Sequence, residues 1–288
     1  VLSGSADRAG YAWAGLTMLI WASFVWISRV AGLSPMLPQD LTALRFGAAA
    51  LVLLPAWFFW KRVPLLDARL LVLALVGGIA YALLVYAGFR FAPAAHGALL
   101  VSGLLPFTMA LMAYFVLGET PRRQMKRGLL LIALGVACLA ADTLRHGGGV
   151  VIGDVLLVGA SLAWALYTVL VRRYGFGAWE TTIGVALVAT AIYLPVYLLL
   201  LPKGIREVGY ADIALQAVFQ GIFVVVIAMV LYMKAMALLG PVRLGSVMAM
   251  TPALAGVGVS LLLGEPLTLL LVAGLLLTSS GAWVGSRA

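Results

Sequence analysis

The sequence predicts an all-α integral membrane protein of ten transmembrane helices, arranged as two inverted five-helix repeats with both termini cytoplasmic. Three observations carry this prediction. The 288 residues are 64% apolar and only 10% charged, against about 45–50% and about 25% in a soluble domain. Charge-free apolar runs recur along the chain at the length that crosses a bilayer. The second half of the chain also repeats landmarks of the first at a nearly constant offset.

Composition excludes several other classes. Nineteen Lys and Arg with 10 Asp and Glu are too few to solvate the surface of a globular chain this long. Twelve prolines and a single cysteine argue against disorder and against a disulfide scaffold. That cysteine, Cys138, lies in an apolar run and reads as a packing residue. The net charge of +9 is not gathered on a soluble module, as nucleic-acid binding would require; it sits between the apolar runs. The chain does not open with a charged stretch, a short apolar run and a small-residue cleavage site, so a removable signal peptide is not expected.

A spanning helix needs about 20 mostly apolar residues. Runs free of Asp, Glu, Lys and Arg lie at 9–28, 70–89, 91–118, 128–141, 155–171, 181–202, 213–233, 244–264 and 266–286. Residues 41–60 add one more, interrupted only by Arg45. The fifth run in chain order, 128–141, is the shortest and becomes long enough if it continues to about Leu144. Orientation follows from the basic residues of the loops. Arg8, Lys61, Arg62, Arg69, Arg122, Arg123, Lys126, Arg127, Arg172, Arg173, Lys234, Arg243 and Arg287 share the side of the N-terminus, with Arg29, Arg90, Arg145, Lys203 and Arg206 opposite. The bias places both termini inside.

The repeat is the most informative feature. At an offset of 146, Tyr86 falls on Tyr232, Pro106 on Pro252, and Leu117-Gly118-Glu119 on Leu263-Gly264-Glu265. Gly128 then falls on Gly274 and Gly135 on Gly281. Near the front the offset is 143, where Trp21, Ala22, Phe24 and Arg29 fall on Trp164, Ala165, Tyr167 and Arg172. The chain divides into 1–146 and 147–288. Each part has an odd number of spans, so the second enters from the opposite side. Inverted repeats of this kind are the architecture of secondary transporters, whose substrate site lies near the midplane between the copies.

These landmarks resemble the drug/metabolite transporter superfamily and its ten-helix EamA-type members. The resemblance rests on the Trp-Ala start of the first helix in each half, the Pro and Leu-Gly-Glu that mark the fourth and ninth helices, and Arg45 near the start of the second. The aromatic content and the single intramembrane histidine are most similar to the aromatic amino-acid exporter YddG group. The resemblance implies a carrier in the bacterial inner membrane that exports amino acids or related small metabolites, as a monomer or weak dimer, with no cofactor, metal or nucleic acid.

Read as chemistry, the candidate binding residues are mainly aromatic. Trp21 and Phe24 on the first helix, and Trp164 and Tyr167 on the sixth, are spaced to share a face. Tyr81, Tyr86 and Tyr232 add rings from the third and eighth helices. A ring with a polar handle suits an amino acid with an apolar or aromatic side chain, whose ammonium also stacks on ring faces. His96 shares a stripe with Leu100, Gly103 and Phe107, and His96 and Phe107 join the candidate set. His146 reads as a solvated loop residue. Trp57, Trp60, Trp179 and Trp283 lie near span ends and read as interface belts. Arg45 is close enough to a helix end to snorkel and reads as structural.

All ten carboxylates fall near helix ends or in loops, so no buried acid is expected and transport is read as gradient-driven. Small residues such as Gly159 and Ala163, or Ala249 and Ala253, are spaced for close helix contact. Pro106 and Pro252 are expected to kink their helices. Leu-Gly-Glu reads as a helix stop, with Arg122 and Arg123 as exposed partners for Glu119.

The competing readings are a drug, lipophilic-cation or lipid exporter of the same architecture, with or without proton coupling, a channel, and an intramembrane enzyme. Gly159-Ala160-Ser161-Leu162-Ala163 superficially resembles a rhomboid serine motif, but both histidines precede Ser161 and no metal-ligand or paired-aspartate motif occurs. Neither carbonyl-rich loops nor rings of charge point to a channel. An enzyme is not expected.

Overall fold

The computed structural model describes residues 2–144 and 148–287, so His146 and Arg145 lie outside the described residues. All regular structure there is helical. The helices are α1 (Leu2–Gly32), α2 (Pro38–Phe59), α3 (Ala68–Phe91), α4 (Ala94–Leu117), α5 (Arg123–Thr143), α6 (Gly148–Tyr174), α7 (Ala178–Leu200), α8 (Tyr210–Met248), α9 (Thr251–Leu263) and α10 (Leu269–Ser286). Nine of these, all but α9, are long and apolar enough to cross a membrane.

Local chemistry sets the ends. Pro38 opens α2, where Asp40 reaches back to accept from the Leu37 N–H at 2.8 Å. Asp67 caps α3 by accepting from Arg69 N–H, and Thr268 caps α10 by accepting from Leu271 N–H. The two Leu-Gly-Glu stops behave as the sequence predicts: Gly118 and Gly264 end α4 and α9 in the left-handed region, at φ 71° and 65°. Gly240, at φ 72° and ψ 172°, turns the chain sharply within α8, so residues 241–248 lead into α9.

The prolines act differently from the expected kinks. Residue Leu104 interrupts α4 after a π-helical stretch, Ala98–Gly103, and Pro106 sits in the first turn of the helix that follows. Pro252 likewise sits in the first turn of α9, just beyond the break at 249–250. At a first turn proline removes an N–H that has no intrahelical acceptor, so it opens a helix and bends nothing. Both elements are therefore discontinuous at corresponding places.

The helices pack in matched pairs. α5 lies along α10, α3 along α6, the later part of α8 along α1, and α2 along α7. α4 meets α6 as α9 meets α1. On the α5–α10 seam, a Cβ on Gly128 would sit 2.5 Å from the Gly281 carbonyl, and one on Gly281 would sit 2.6 Å from the Gly128 carbonyl. Gly135 and Gly274 face each other in the same way, at 2.8 and 3.0 Å. Backbone meets backbone here because no side chain intervenes. The seam depends on these glycines. Gly159, singled out for close approach by its spacing, makes only ordinary contact with Leu84.

The ion pairs also depart from the expected ones. Glu119 pairs with Arg172 of α6 at 2.6 Å, not with Arg122 or Arg123. Glu265 pairs with Arg29 of α1 at 2.8 Å. Arg172 is carried by α6, which packs against α4 and so brings its guanidinium to the end where Glu119 stands. Trp60 and Trp179 meet edge-to-face at 4.9 Å, and Trp60 and Trp283 are exposed.

Candidate functional site

Arg45 stands at the centre of the site. It shares the buried face of α2 with Leu41, Thr42, Phe46 and Ala49, and only 6% of it is exposed. The snorkelling expected of it does not occur. Distance from a helix end says nothing about rotation, and here the helix turns the guanidinium inward. Its Cζ lies 5.8 Å from the ring centroids of both Phe24 on α1 and Tyr81 on α3. Nη1 donates to the Tyr86 hydroxyl at 3.4 Å, the side chain's one hydrogen bond. No carboxylate among the described residues pairs with it.

A polar chain leads away from Tyr86. Its hydroxyl donates to Gln220 Oε1 at 3.1 Å. Gln220 Nε2 donates to Ser28 Oγ and to Gln216 Oε1, each at 3.2 Å. Gln216 Nε2 in turn donates to the Ile27 carbonyl at 3.3 Å. The chain joins α2, α3, α8 and α1 inside an apolar bundle, where an unsatisfied amide is costly. Sequence reasoning passed over Gln216, Gln220 and Ser28. The available signal was two glutamines four residues apart in a charge-free run, on one helix face.

The rings gather in two groups. Phe24 lies 6.3 Å from Tyr86 and from Phe89. Tyr81 lies 4.9 Å from Trp164, which lies 5.1 Å from Tyr167. Arg45 joins these, because it touches both Phe24 and Tyr81. Trp21 and Tyr232 form a separate pair at 5.4 Å, one helical turn from Phe24 on α1. Phe107 is half-buried against the core and has no ring contact with these groups.

Backbone irregularity places several of these side chains. A π-helical stretch in α3, Ala74–Ala80, ends immediately before Tyr81, and another in α8, Ala217–Ile227, contains Gln220. Such bulges rotate the residues that follow and cluster at functional sites. Within the first, Gly77 lets the Tyr167 ring lie against the α3 backbone, where a Cβ would collide with it.

His96 lies elsewhere, in a buried network. Its Nδ1 donates to Asp154 Oδ1 at 2.8 Å, and its Nε2 is 3.7 Å from Asp142 Oδ2. Thr143 donates to Asp154 Oδ2 at 2.5 Å and Thr268 to Asp142 Oδ1 at 2.6 Å. The group ties α4, α5, α6 and the start of α10 together. It corrects the expectation that no carboxylate is buried: Asp142 is 1% and Asp40 0% exposed. Both stand near helix ends, as predicted, but those ends are inside the protein. Asp40 accepts from the Tyr197 hydroxyl at 2.6 Å and from Gly204 N–H at 3.0 Å. Ser161 of the rhomboid-like motif lies 3.1 Å from Thr108 Oγ1, between packed helices.

An all-helical, apolar bundle with nine helices long and apolar enough to cross a membrane among the described residues, two of its elements discontinuous, has the build of a polytopic membrane protein. The sequence model of the EamA-like transporter family matches residues 8–141 and again 151–287, and the chain belongs to that family. It is 28% identical over 149 residues to the uncharacterized transporter YyaM of Bacillus subtilis (strain 168), covering 48% of this chain and 47% of the relative. It is 34% identical over 162 residues to an uncharacterized transporter of Archaeoglobus fulgidus, covering 54% of each. The chain thus spans about half the length of the curated relatives it matches. A solved crystal structure has a TM-score of 0.63 at 25% identity, covering 98% of this chain and 97% of that one.

Proposed function

We propose that the protein is a secondary carrier that moves neutral or zwitterionic amino acids and similar small metabolites across the bacterial inner membrane by alternating access. The observation that carries this reading is the buried cluster of Phe24, Tyr81, Tyr86, Trp164 and Tyr167, drawn from α1, α3 and α6. Trp21 and Tyr232 extend it along α1 and α8. Rings with hydroxyl and indole handles suit an amphiphilic solute with an apolar side chain.

The architecture is ten spans in two inverted copies, 1–146 and 147–288, with 241–263 as the ninth span and both termini cytoplasmic. Supporting this are the double match of one family model, the Gly128–Gly281 and Gly135–Gly274 contacts, and the matched helix pairs. Glu119 and Glu265 end equivalent helices, and Arg172 and Arg29 are equivalent too, so each half closes on the other through the same pair. One pair is largely buried and its counterpart is exposed, which supports one end shut and the other open. We read the carrier as a monomer or weak dimer without cofactor.

Flux in proteoliposomes tests the substrate reading. Labelled phenylalanine, leucine and other neutral amino acids are expected to exchange, and a lipophilic cation is not. Failure of every amino acid to exchange, with the cation carried, replaces this reading with drug export.

A second reading concerns the driving force. The buried His96–Asp154–Asp142 group favours proton coupling over simple gradient-driven transport, since buried titratable networks form proton relays in carriers. Uptake that runs without an imposed pH gradient, and is unchanged by imposing one, excludes coupling.

A further inference from the structure

We infer that Arg45 is the anchor for a substrate carboxylate, and that the carrier's substrates are therefore organic acids with an apolar or aromatic body. An amino acid is one member of that class. The inference rests on the carrier reading above and names the group its substrates share.

Arg45 is 94% buried by its 6% exposure, it spans a region the sequence reads as membrane, and its only protein hydrogen bond is a long one to a neutral hydroxyl. A guanidinium presents five N–H donors in a planar fork matched to a carboxylate. Buried charges in proteins are paired. Every other Lys or Arg side chain with such low exposure would be expected to hold an acid, as Arg29 does with Glu265 at 13% and 18% exposure. Arg45 holds none among the described residues, so the missing counter-charge is supplied by what the site binds.

Phe24 and Tyr81 flank the guanidinium at 5.8 Å, and Tyr81 continues through Trp164 to Tyr167. A carboxylate on Arg45 therefore leaves the rest of the molecule among rings. No Asp or Glu joins this ring cluster among the described residues, so an ammonium group would find only ring faces and the oxygens of the Tyr86–Gln220 chain. The carboxylate is required by the site; the ammonium is tolerated.

The scaffold features recur in both halves: the seam glycines, the Leu-Gly-Glu stops, the Arg–Glu pairs. Arg45 does not. At offsets of 143 and 146 its place is taken by Val188 and Ala191, and Gln220 corresponds to Ala74. A charge added to one copy only, in a frame that is otherwise shared, belongs to the cargo and not to the frame.

Four probes on the purified full-length chain test this, by thermal-shift binding and counterflow in proteoliposomes: phenylalanine, 3-phenylpropionate, phenylalaninamide and phenethylamine. The wild-type protein is expected to bind both acids and to bind the amide and amine at least tenfold more weakly. Arg45→Gln is expected to lose at least tenfold in affinity for the acids, with Arg45→Lys in between. If the amide or amine binds as well as phenylalanine, the Arg45 inference is overturned while the carrier reading stands. If 3-phenylpropionate binds and phenylalanine does not, the amino-acid reading fails and the Arg45 inference stands. Binding of none of the four overturns both. The wild-type comparison decides the question even if the Gln variant does not fold, and a folded Gln variant with unchanged affinity for the acids overturns the inference.

Discussion

Arg29 donates to Glu265 at 2.8 Å, and the same arginine donates to the carbonyl of Phe89 at 2.7 Å. The other oxygen of Glu265 accepts from Ala94 N–H at 2.7 Å. One ion pair thus clamps α1, the end of α9, the end of α3 and the start of α4. Its counterpart, Arg172 with Glu119, has side chains 57% and 54% exposed. A largely buried pair is costly to break, on the order of 3 kcal/mol, whereas an exposed one contributes about 1 kcal/mol at most. Glu265→Gln is therefore expected to raise the thiol-probe labelling of a cysteine placed at Ala95 several-fold, and Glu119→Gln to change it little. Equal labelling in wild type and Glu265→Gln would show that the clamp does not hold that end shut.

The two cap glycines give a stability prediction. Gly118 and Gly264 have open space around a notional Cβ, so substitution meets strain and no clash. Left-handed backbone costs an L-residue roughly 1–2 kcal/mol. Gly118→Ala and Gly264→Ala should each lower the melting temperature in detergent by a few degrees, and Asn at either position by less. No change in either alanine variant would mean that the turns relax.

Trp164 bridges Tyr81 and Tyr167. Trp164→Ala removes both ring contacts without touching Arg45, and is expected to lower flux of aromatic substrates by up to about tenfold. Expression and melting temperature should be close to wild type, because Trp164 is only partly buried. A larger loss for small aliphatic substrates than for aromatic ones would contradict the ring-lined reading.

His96→Ala removes one of the two side-chain partners of Asp154, leaving the Thr143 hydroxyl, and takes the ring away from the buried Asp142. The expected cost is roughly 3–5 kcal/mol, read as a fall in melting temperature, and His96→Gln, which keeps a donor, should recover part of it. Lost flux at an unchanged melting temperature would return His96 to the substrate-contacting residues.

What could be read from the sequence differs by residue for physical reasons. The Leu-Gly-Glu stops were legible because glycine after an apolar run reports backbone geometry locally. The proximity of Trp164 to Tyr167 followed from spacing on one helix. The inward turn of Arg45 was not legible: its place on α2 is a rotation set by packing against α7 and α8, which no local pattern encodes. Glu119 with Arg172, and His96 with Asp154, join residues 53 and 58 apart, so only the tertiary arrangement selects them. The glutamine pair on α8 was visible, yet in a span rich in apolar residues only its hydrogen bonds reveal that both amides are engaged.

The glycine seam between α5 and α10 holds together the two segments, 8–141 and 151–287, that the family model matches. Gly128 opposes Gly281 and Gly135 opposes Gly274, so each glycine abuts the position that an offset of 146 residues assigns to its companion on the same helix. A side chain gained on one helix of this seam would meet the backbone of the other, so each of these four sites is constrained by the helix opposite.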